Sequence, residues 1–108
     1  MKIKFKKLNK DAVLPKIANK GDAGADLTAI TRIWDSTSRT FLYGTGLAVK
    51  IPDGHVGLIF PRSSIYKQQQ SFCNSVGVID SQYTGELQFR LRPTAETILT
   101  HNYNVAVS

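Results

Sequence analysis

Apolar and polar residues alternate along four short stretches of the chain. The apolar positions are Ile3 and Phe5; Leu47, Val49 and Ile51; Val56, Leu58 and Phe60; and Leu87, Phe89 and Leu91. Alternation with a period of two is typical of a β-strand that buries one face. We therefore predict a mostly β fold in which these apolar side chains face the core.

Turn-forming residues separate the alternating stretches. The turn segments are Lys20-Gly21-Asp22, Tyr43-Gly44, Pro52-Asp53-Gly54 and Tyr83-Thr84-Gly85. Their spacing favours short antiparallel strands. A last alternating run, Tyr103 to Val107, predicts one more strand, and we expect it to leave an unpaired edge because the sequence stops within it.

The sequence RSSIYKQQ, residues 62 to 69, is the one segment that favours a helix, of about two turns. Ser63 and Ser64 would lie at its start. Two interpretations are open, an ordinary serine N-cap or a phosphate contact, because a helix N-terminus presents unpaired N–H groups. These eight residues alone favour the N-cap.

The length of 108 residues allows one domain, and an apolar fraction of 42% is that of an ordinary globular chain. Cys73 is the sole cysteine, which excludes an intramolecular disulfide, and lysines interrupt every apolar stretch near the start. No run approaches the roughly 18 apolar residues of a membrane span. We expect a soluble, cytoplasmic protein that does not bind a membrane.

The net charge of +6 raises the question of nucleic-acid binding. Five of the fourteen basic residues lie in the first ten positions, where they alternate with Ile3, Phe5 and Leu8. That pattern favours a solvated strand face, with attraction of a small anionic ligand as the alternative. We do not expect a nucleic-acid partner.

Residues 74 to 86, NSVGVIDSQYTGE, place Asn74, Asp80, Tyr83 and Glu86 around an apolar hairpin core. Taken alone, the segment fits a hairpin with solvent-facing polar residues as well as it fits a site. Cys73, His55 and His101 are too scattered to predict a zinc site, and His55 is interpreted as a turn residue. Trp34 and Phe41 are expected in the core or at a subunit contact.

Three segments together carry a family resemblance. DAGADLTA at 22 to 29, PRSS at 61 to 64 and NSVGVIDSQYTGE at 74 to 86 resemble, in order and spacing, the first three motifs of trimeric deoxyuridine triphosphatases, the dUTPases. The similarity extends over nearly the whole chain. It implies an all-β, antiparallel, jelly-roll-like barrel with at most one short helix.

The resemblance also implies a function. Enzymes of this family use Mg²⁺ to hydrolyse dUTP to dUMP and pyrophosphate, which keeps uracil out of DNA and supplies dUMP for dTMP synthesis. They are homotrimers, and each active site takes the first and second motifs from one subunit and the third from a neighbour.

Residue roles follow from the same resemblance. Asp80 would orient the attacking water as a base, and Tyr83 would stack under the deoxyribose and exclude a 2′-hydroxyl. Asn74, Gly77 and Val78 would contact uracil; the alternative for Asn74 is a turn former, since asparagine is common in turns. A turn-capping Asp80 and a packing Tyr83 are the alternatives.

The phosphate end of the site is implied by the first two motifs. Arg62 would supply charge, and Ser63 and Ser64 would supply donors to phosphate oxygens. Asp26 would hold the magnesium ion through water.

The family's fourth motif, a GDRIAQ-like segment, and its glycine-rich fifth motif are missing from residues 1–108. We therefore expect a single dUTPase-like β domain that is cut short at its C-terminus, with weak or no turnover. A non-catalytic nucleotide-binding or interaction protein on the same fold is the main alternative. A dCTP deaminase relative is less favoured, because residues 74 to 86 match the uracil-type hairpin.

Overall fold

The computed structural model describes residues 3–16, 20–21, 23–94 and 106–107. The strands are β1 (Lys4–Lys7), β2 (Leu27–Thr28), β3 (Thr31–Asp35), β4 (Thr40–Gly44), β5 (Leu47–Lys50), β6 (Gly57–Ile59), β7 (Gln70–Phe72), β8 (Gly77–Ile79), β9 (Gln88–Pro93) and β10 (Ala106–Val107), and a short 3-10 helix spans Ser63–Gln68.

The strands pair antiparallel in four sheets. The largest has the order β3-β4-β9-β7, and three two-stranded sheets join β1 with β5, β2 with β10, and β6 with β8. The predicted all-β, antiparallel fold with one short helix is confirmed.

The core lies against the four-stranded sheet and β5. Tyr43, Leu47 and Leu91 are completely buried, and the Tyr43 ring stacks on Phe89 with ring centroids 5.4 Å apart. The Tyr43 hydroxyl donates to Gln70 Oε1 at 3.0 Å, so the buried phenol reaches from β4 to β7. Each such large side chain stabilises the fold by about 1.5–3 kcal/mol through burial.

Alternation identified the buried face of β9 and most of the buried face of β5. Leu87, Phe89 and Leu91 are buried, as are Leu47 and Ile51, which confirms the prediction for these positions. Val49 is half-buried and packs against the edge of the core.

The same prediction is wrong for β6. Val56, Leu58 and Phe60 are 54%, 46% and 45% exposed, whereas Ile59 is 4% exposed and faces the core. Both faces of this segment are apolar, so the period of two did not determine which face turns inward.

Strand β1 forms as predicted, but its apolar residues are not in the core. Ile3 and Phe5 are 40% and 37% exposed, and they line an open groove with Val56, Leu58 and Phe60. In the described part of the chain, β1 pairs with β5 alone, so its outer side stays open to solvent.

Two of the predicted turns can be compared in full with the structure. At Pro52-Asp53-Gly54 the chain reverses with Gly54 at φ +80, and the His55 N–H donates to the Pro52 carbonyl at 3.1 Å, which confirms His55 as a turn residue. The Tyr43-Gly44 prediction is wrong, because both residues belong to β4 and the chain reverses after them.

Of the other two predicted turns, one is described only in part and the other lies at a shifted position. Lys20 and Gly21 form a turn, with Asp22 outside the described residues. The turn predicted at Tyr83-Thr84-Gly85 lies slightly earlier, because the Tyr83 N–H donates to the Asp80 carbonyl at 3.0 Å.

The helix predicted over 62 to 69 is confirmed as the 3-10 helix, with Ser63 and Ser64 as its first residues. The serine N-cap interpretation is wrong, since the N-cap is Arg62 and no side chain caps the helix. No helix among the described residues has the length and apolar character needed to cross a membrane.

At the C-terminal end, Ala106 and Val107 form β10 and pair with Thr28 and Leu27 of β2. The predicted terminal strand is thus confirmed for these two residues; residues 103–105 and His101 lie outside the described ranges.

Phe41 is buried, while Trp34 packs on it with ring centroids 4.8 Å apart and stays 39% exposed, at the rim of the core.

Candidate functional site

The segment predicted as a hairpin, residues 74 to 86, does not form a paired hairpin with the strand before it. Strand β7 pairs with β9, whereas β8 pairs with β6, so the two arms belong to different sheets. Between them, the Val76 N–H donates to the Asn74 carbonyl at 2.6 Å, and Ser75 has a φ of +60. This tight turn sends the arms apart, and a cleft opens between the two sheets.

The cleft gathers five of the residues predicted for the site. Asn74, Gly77, Val78, Asp80 and Tyr83 all line it, and its volume is about 470 Å³. Small-molecule sites are commonly 300–1,000 Å³, so a ligand of nucleoside size matches this volume. The apolar back wall comes from Leu42, Phe72 and Phe89.

Four polar or thiol residues of the cleft were not assigned a role from the sequence. They are Cys73, Glu86, Gln88 and Arg90. Arg90 lies on β9 and reaches the motif through the pairing of β9 with β7, whereas Gln88 is two residues from Glu86, and its Nε2 donates to Glu86 Oε1 at 3.2 Å. No local sequence pattern indicates the pairing of β9 with β7. Glu86 lies within the motif at 74 to 86, and this position is the signal from which a role could have been predicted.

The loop after β8 brings Asp80 and Tyr83 together. The backbone bond from Tyr83 to Asp80 closes the turn, and the Tyr83 hydroxyl donates to the Glu86 carbonyl at 2.6 Å. Both side chains are exposed, with Tyr83 at 43%. A carboxylate and a flat ring are thus presented side by side at the mouth of the cleft.

A second group joins the first two motifs. Arg62 Nη1 lies 3.5 Å from Asp26 Oδ2, with the two side chains 44% and 26% exposed. The backbone around Asp26 is fixed, because its N–H donates to the Lys16 carbonyl at 2.7 Å. Ser63 and Ser64 follow Arg62 directly at the start of the helix.

The two groups are separate within one chain. Of the residues that the structure describes, the lining of the cleft includes neither the Arg62–Asp26 pair nor Ser63 and Ser64. The predicted site residues therefore fall into a nucleoside-sized cleft and a second group, made of the Arg62–Asp26 pair, Ser63 and Ser64.

One carboxyl beside the cleft has a perturbed pKa. The pKa of Asp35 is lowered by hydrogen bonds from the backbone and side chain of Ser38, then by the Thr37 N–H and the Arg90 guanidinium. Arg90 Nη1 is 3.3 Å from Asp35 Oδ2 and 2.9 Å from Thr40 Oγ1. These contacts tie the β3–β4 turn to the cleft wall.

Comparisons with known proteins show the family. Residues 10–104 match the model of the dUTPase family. The chain is 37% identical to the deoxyuridine 5′-triphosphate nucleotidohydrolase of Corynebacterium glutamicum, over 96% of this chain and 72% of the relative. It is 39% identical to the enzyme of the same name from Rhodococcus erythropolis, over 82% of this chain and 54% of the relative.

Solved structures show the same fold. A variant dUTPase from phage phi11 of S. aureus, which coordinates a structural Mg(II) ion, aligns with a TM-score of 0.75 and 26% identity over 88% of this chain and 61% of that one. A Staphylococcus phage 80alpha dUTPase variant bound to dUpNHpp aligns with a TM-score of 0.74 and 28% identity, over 88% and 56%. The chain thus spans between about half and three quarters of the length of these four proteins. By the family match and the identity to these relatives, the chain belongs to the dUTPase family.

Proposed function

We propose that the chain acts in the hydrolysis of dUTP to dUMP and pyrophosphate, by attack of water on the α-phosphorus. The observation that carries this proposal is the cleft between β7 and β8, which brings Asn74, Gly77, Val78, Asp80 and Tyr83 together. Membership of the dUTPase family supports the choice of substrate, and so does the binding of dUpNHpp by the phage 80alpha relative.

The uracil end of the proposed site rests on backbone groups of β8. One edge of β8 pairs with β6, and in the described residues its other edge has no strand partner. Uracil presents an N3–H donor between two carbonyl acceptors, so the backbone of Gly77 and Val78 can pair with it as a strand would. Asn74, at the turn of the same cleft, adds a side-chain contact.

The reaction itself is assigned to Asp80 and Tyr83. The exposed Asp80 carboxylate accepts a hydrogen bond from the attacking water and orients it toward the α-phosphorus. The Tyr83 ring stacks under the deoxyribose, where a 2′-hydroxyl would collide with it. This arrangement selects dUTP over UTP by exclusion.

The phosphates are assigned to the second group. Arg62 contributes charge, and Ser63 and Ser64 contribute hydroxyl donors at the start of the helix. Among described residues, no three His, Cys, Asp or Glu side chains cluster as a metal cage. The single carboxylate of Asp26 fits a Mg²⁺ held chiefly by water and the substrate's phosphates, and that ion would neutralise charge on the triphosphate.

We further propose a homotrimer in which Asp26, Arg62, Ser63 and Ser64 of one subunit complete the cleft of another. The separation of the two groups within a single chain supports this arrangement. A cytoplasmic location is part of the same proposal, supported by an exposed Cys73 without a disulfide partner in the sequence.

The experiment is pyrophosphate release from dUTP with Mg²⁺, comparing the wild-type chain with Asp80→Asn. The asparagine keeps the side-chain shape but is no base, so we expect turnover to fall by at least about 100-fold. Calorimetric affinity for dUpNHpp should change little. Asp11→Asn, an exposed aspartate outside the cleft, is the matched control.

Unchanged turnover in Asp80→Asn would refute the assignment of Asp80. Tight binding of dUpNHpp by the wild-type chain, with no pyrophosphate formed, would instead favour a non-catalytic nucleotide-binding protein.

A further inference from the structure

Glu86 connects the Tyr83 loop to the body of the fold. Its half-buried carboxylate accepts a hydrogen bond from the Gly46 N–H at Oε2, at 2.8 Å, and from Gln88 Nε2 at Oε1, at 3.2 Å. The backbone carbonyl of the same residue accepts the Tyr83 hydroxyl at 2.6 Å. One residue therefore holds the tyrosine through its main chain and is itself held through its side chain.

Strand β4 leaves room for this carboxylate at Gly44. A Cβ at that position would lie 2.6 Å from Glu86 Oε2 and 2.5 Å from Thr31 Oγ1. A glycine inside a strand costs about 0.5–1 kcal/mol relative to alanine. The buried Gly44 therefore lowers the stability of β4 locally, and it leaves the space that the Glu86 carboxylate occupies beside this strand.

The Tyr83 ring is placed by a second glycine. At Gly85 a Cβ would lie 2.8 Å from the Tyr83 hydroxyl oxygen and 2.9 Å from the adjoining ring carbon. The ring therefore packs directly over the Gly85 backbone, and the Glu86 carbonyl fixes its outer end. Displacement of Glu86 would remove the ring's only hydrogen-bonded anchor recorded in the described part of the chain.

We propose that Glu86 is a positioning residue that fixes the Tyr83 ring and thereby sets the preference for a deoxyribose over a ribose. This inference rests on the proposed function for the role of Tyr83, but not for the geometry. Glu86 acts through Tyr83, because its carboxylate accepts from Gly46 and Gln88 while its main-chain carbonyl accepts the Tyr83 hydroxyl.

The first test compares the affinities of Glu86→Ala and Glu86→Gln for non-hydrolysable dUTP and UTP analogues by calorimetry. We expect Glu86→Ala to lower the preference for the deoxyribose analogue by about tenfold, because the main chain whose carbonyl accepts the Tyr83 hydroxyl loses its side-chain tether to Gly46. Glu86→Gln keeps an oxygen that accepts from Gly46, so its preference should stay within about threefold of wild type. Asp11→Ala is the control for loss of one carboxylate.

A second route displaces the carboxylate without changing Glu86. Thr31→Ala removes one of the two atoms that a Cβ at Gly44 would meet, so adding Gly44→Ala to Thr31→Ala leaves the collision with Glu86. The double variant should lose the sugar preference as Glu86→Ala does, and Thr31→Ala alone should keep it.

A third readout needs no nucleotide. In the wild type, NMR should show nuclear Overhauser contacts between the Tyr83 ring and the Gly85 α-protons, and these should weaken in Glu86→Ala. If Glu86→Ala lowers the unfolding midpoint but keeps both the contacts and the sugar preference, Glu86 is merely structural and the inference is wrong.

The outcomes separate this inference from the proposed function. Failure of the wild-type chain to prefer the deoxyribose analogue would contradict the proposed function. In that case the sugar-preference part of the inference would also be wrong, and the ring contacts would decide the positioning part: their loss in Glu86→Ala would support it, and their persistence would overturn it.

Discussion

The cleft and the Arg62–Asp26 pair are built in different ways. The cleft walls are strands of two sheets, and its loop is fixed by hydrogen bonds from Tyr83 to Asp80 and to Glu86. In the ion pair Arg62 Nη1 and Asp26 Oδ2 lie 3.5 Å apart, with Arg62 exposed and Asp26 half-buried. Pairs near the surface contribute about 0–1 kcal/mol to stability, so contact of Arg62 with another anion would cost the fold little.

Under the proposed function, this difference would amount to a division of labour. Selection between similar nucleosides requires a fixed shape, which paired strands provide. Binding of a triphosphate requires charge that can follow the ligand and its metal ion, and an arginine on the surface provides that. The most direct test places an intact cleft and an intact Arg62 on different chains.

Mixing two impaired variants should give the largest effect. If each site combines the Arg62 group of one subunit with the cleft of another, co-refolding Arg62→Ala chains with Asp80→Asn chains creates some sites with both residues intact. For random assembly of trimers and dUTP well below saturation, pyrophosphate release should reach about a quarter of the wild-type value, against about a tenth for Arg62→Ala alone and about a hundredth for Asp80→Asn alone.

Co-refolding each variant with itself is the control for the refolding step. Activity no higher than the two parents would contradict shared sites and would favour a site completed within one chain.

Arg62→Ala alone should give the next largest effect, on affinity. Loss of a charge-assisted contact to phosphate is expected to weaken dUpNHpp binding by about tenfold, whereas binding of deoxyuridine, which has no phosphate, should not change. Calorimetry with both ligands measures the difference. Lys10→Ala is the control for general attraction of anions, because it removes an exposed positive charge that is distant from Arg62 in the sequence.

If Arg62→Ala weakened deoxyuridine and dUpNHpp equally, the two regions would not be separable, and the division of labour would be wrong.

The sequence predicted the buried faces of β9 and β6 unequally well. Alternation identified the buried face of β9, because Leu87, Phe89 and Leu91 are separated by polar residues. It failed at β6, where the apolar Leu58 and Phe60 flank Ile59 and conceal which face is inward. The short strands β2 and β7, of two and three residues, carry too little pattern to be recognised.

The candidate site could be predicted where it lies in one continuous motif. Asp80 and Tyr83 are three residues apart, and a single turn brings them to the cleft. The remaining wall could not be predicted, because Arg90 reaches the cleft only through the pairing of β9 with β7. The divergence of β7 and β8, which opens the cleft, is likewise a consequence of partners distant in the sequence.

The smallest expected effect concerns the support of that wall. The pKa of Asp35 lies below its ordinary value of 3.8, chiefly because the Ser38 backbone N–H donates to it, with a smaller contribution from Arg90. A carboxyl whose pKa is lower in the folded state stabilises the fold fully above the unfolded-state pKa. This stabilisation is lost as the pH falls through the lower, folded-state pKa.

Urea unfolding at a series of pH values below neutrality checks this for the wild type and Asp35→Asn. The advantage of the wild type in free energy of unfolding should be constant down to about pH 4 and then shrink as Asp35 is protonated. Arg90→Gln should keep most of this pH dependence, since the Ser38 and Thr37 bonds remain. If this advantage does not change with pH, the Asp35 turn supports the cleft wall through its shape and not through the charge of Asp35. The wall would then be as insensitive to charge as the paired strands beside it.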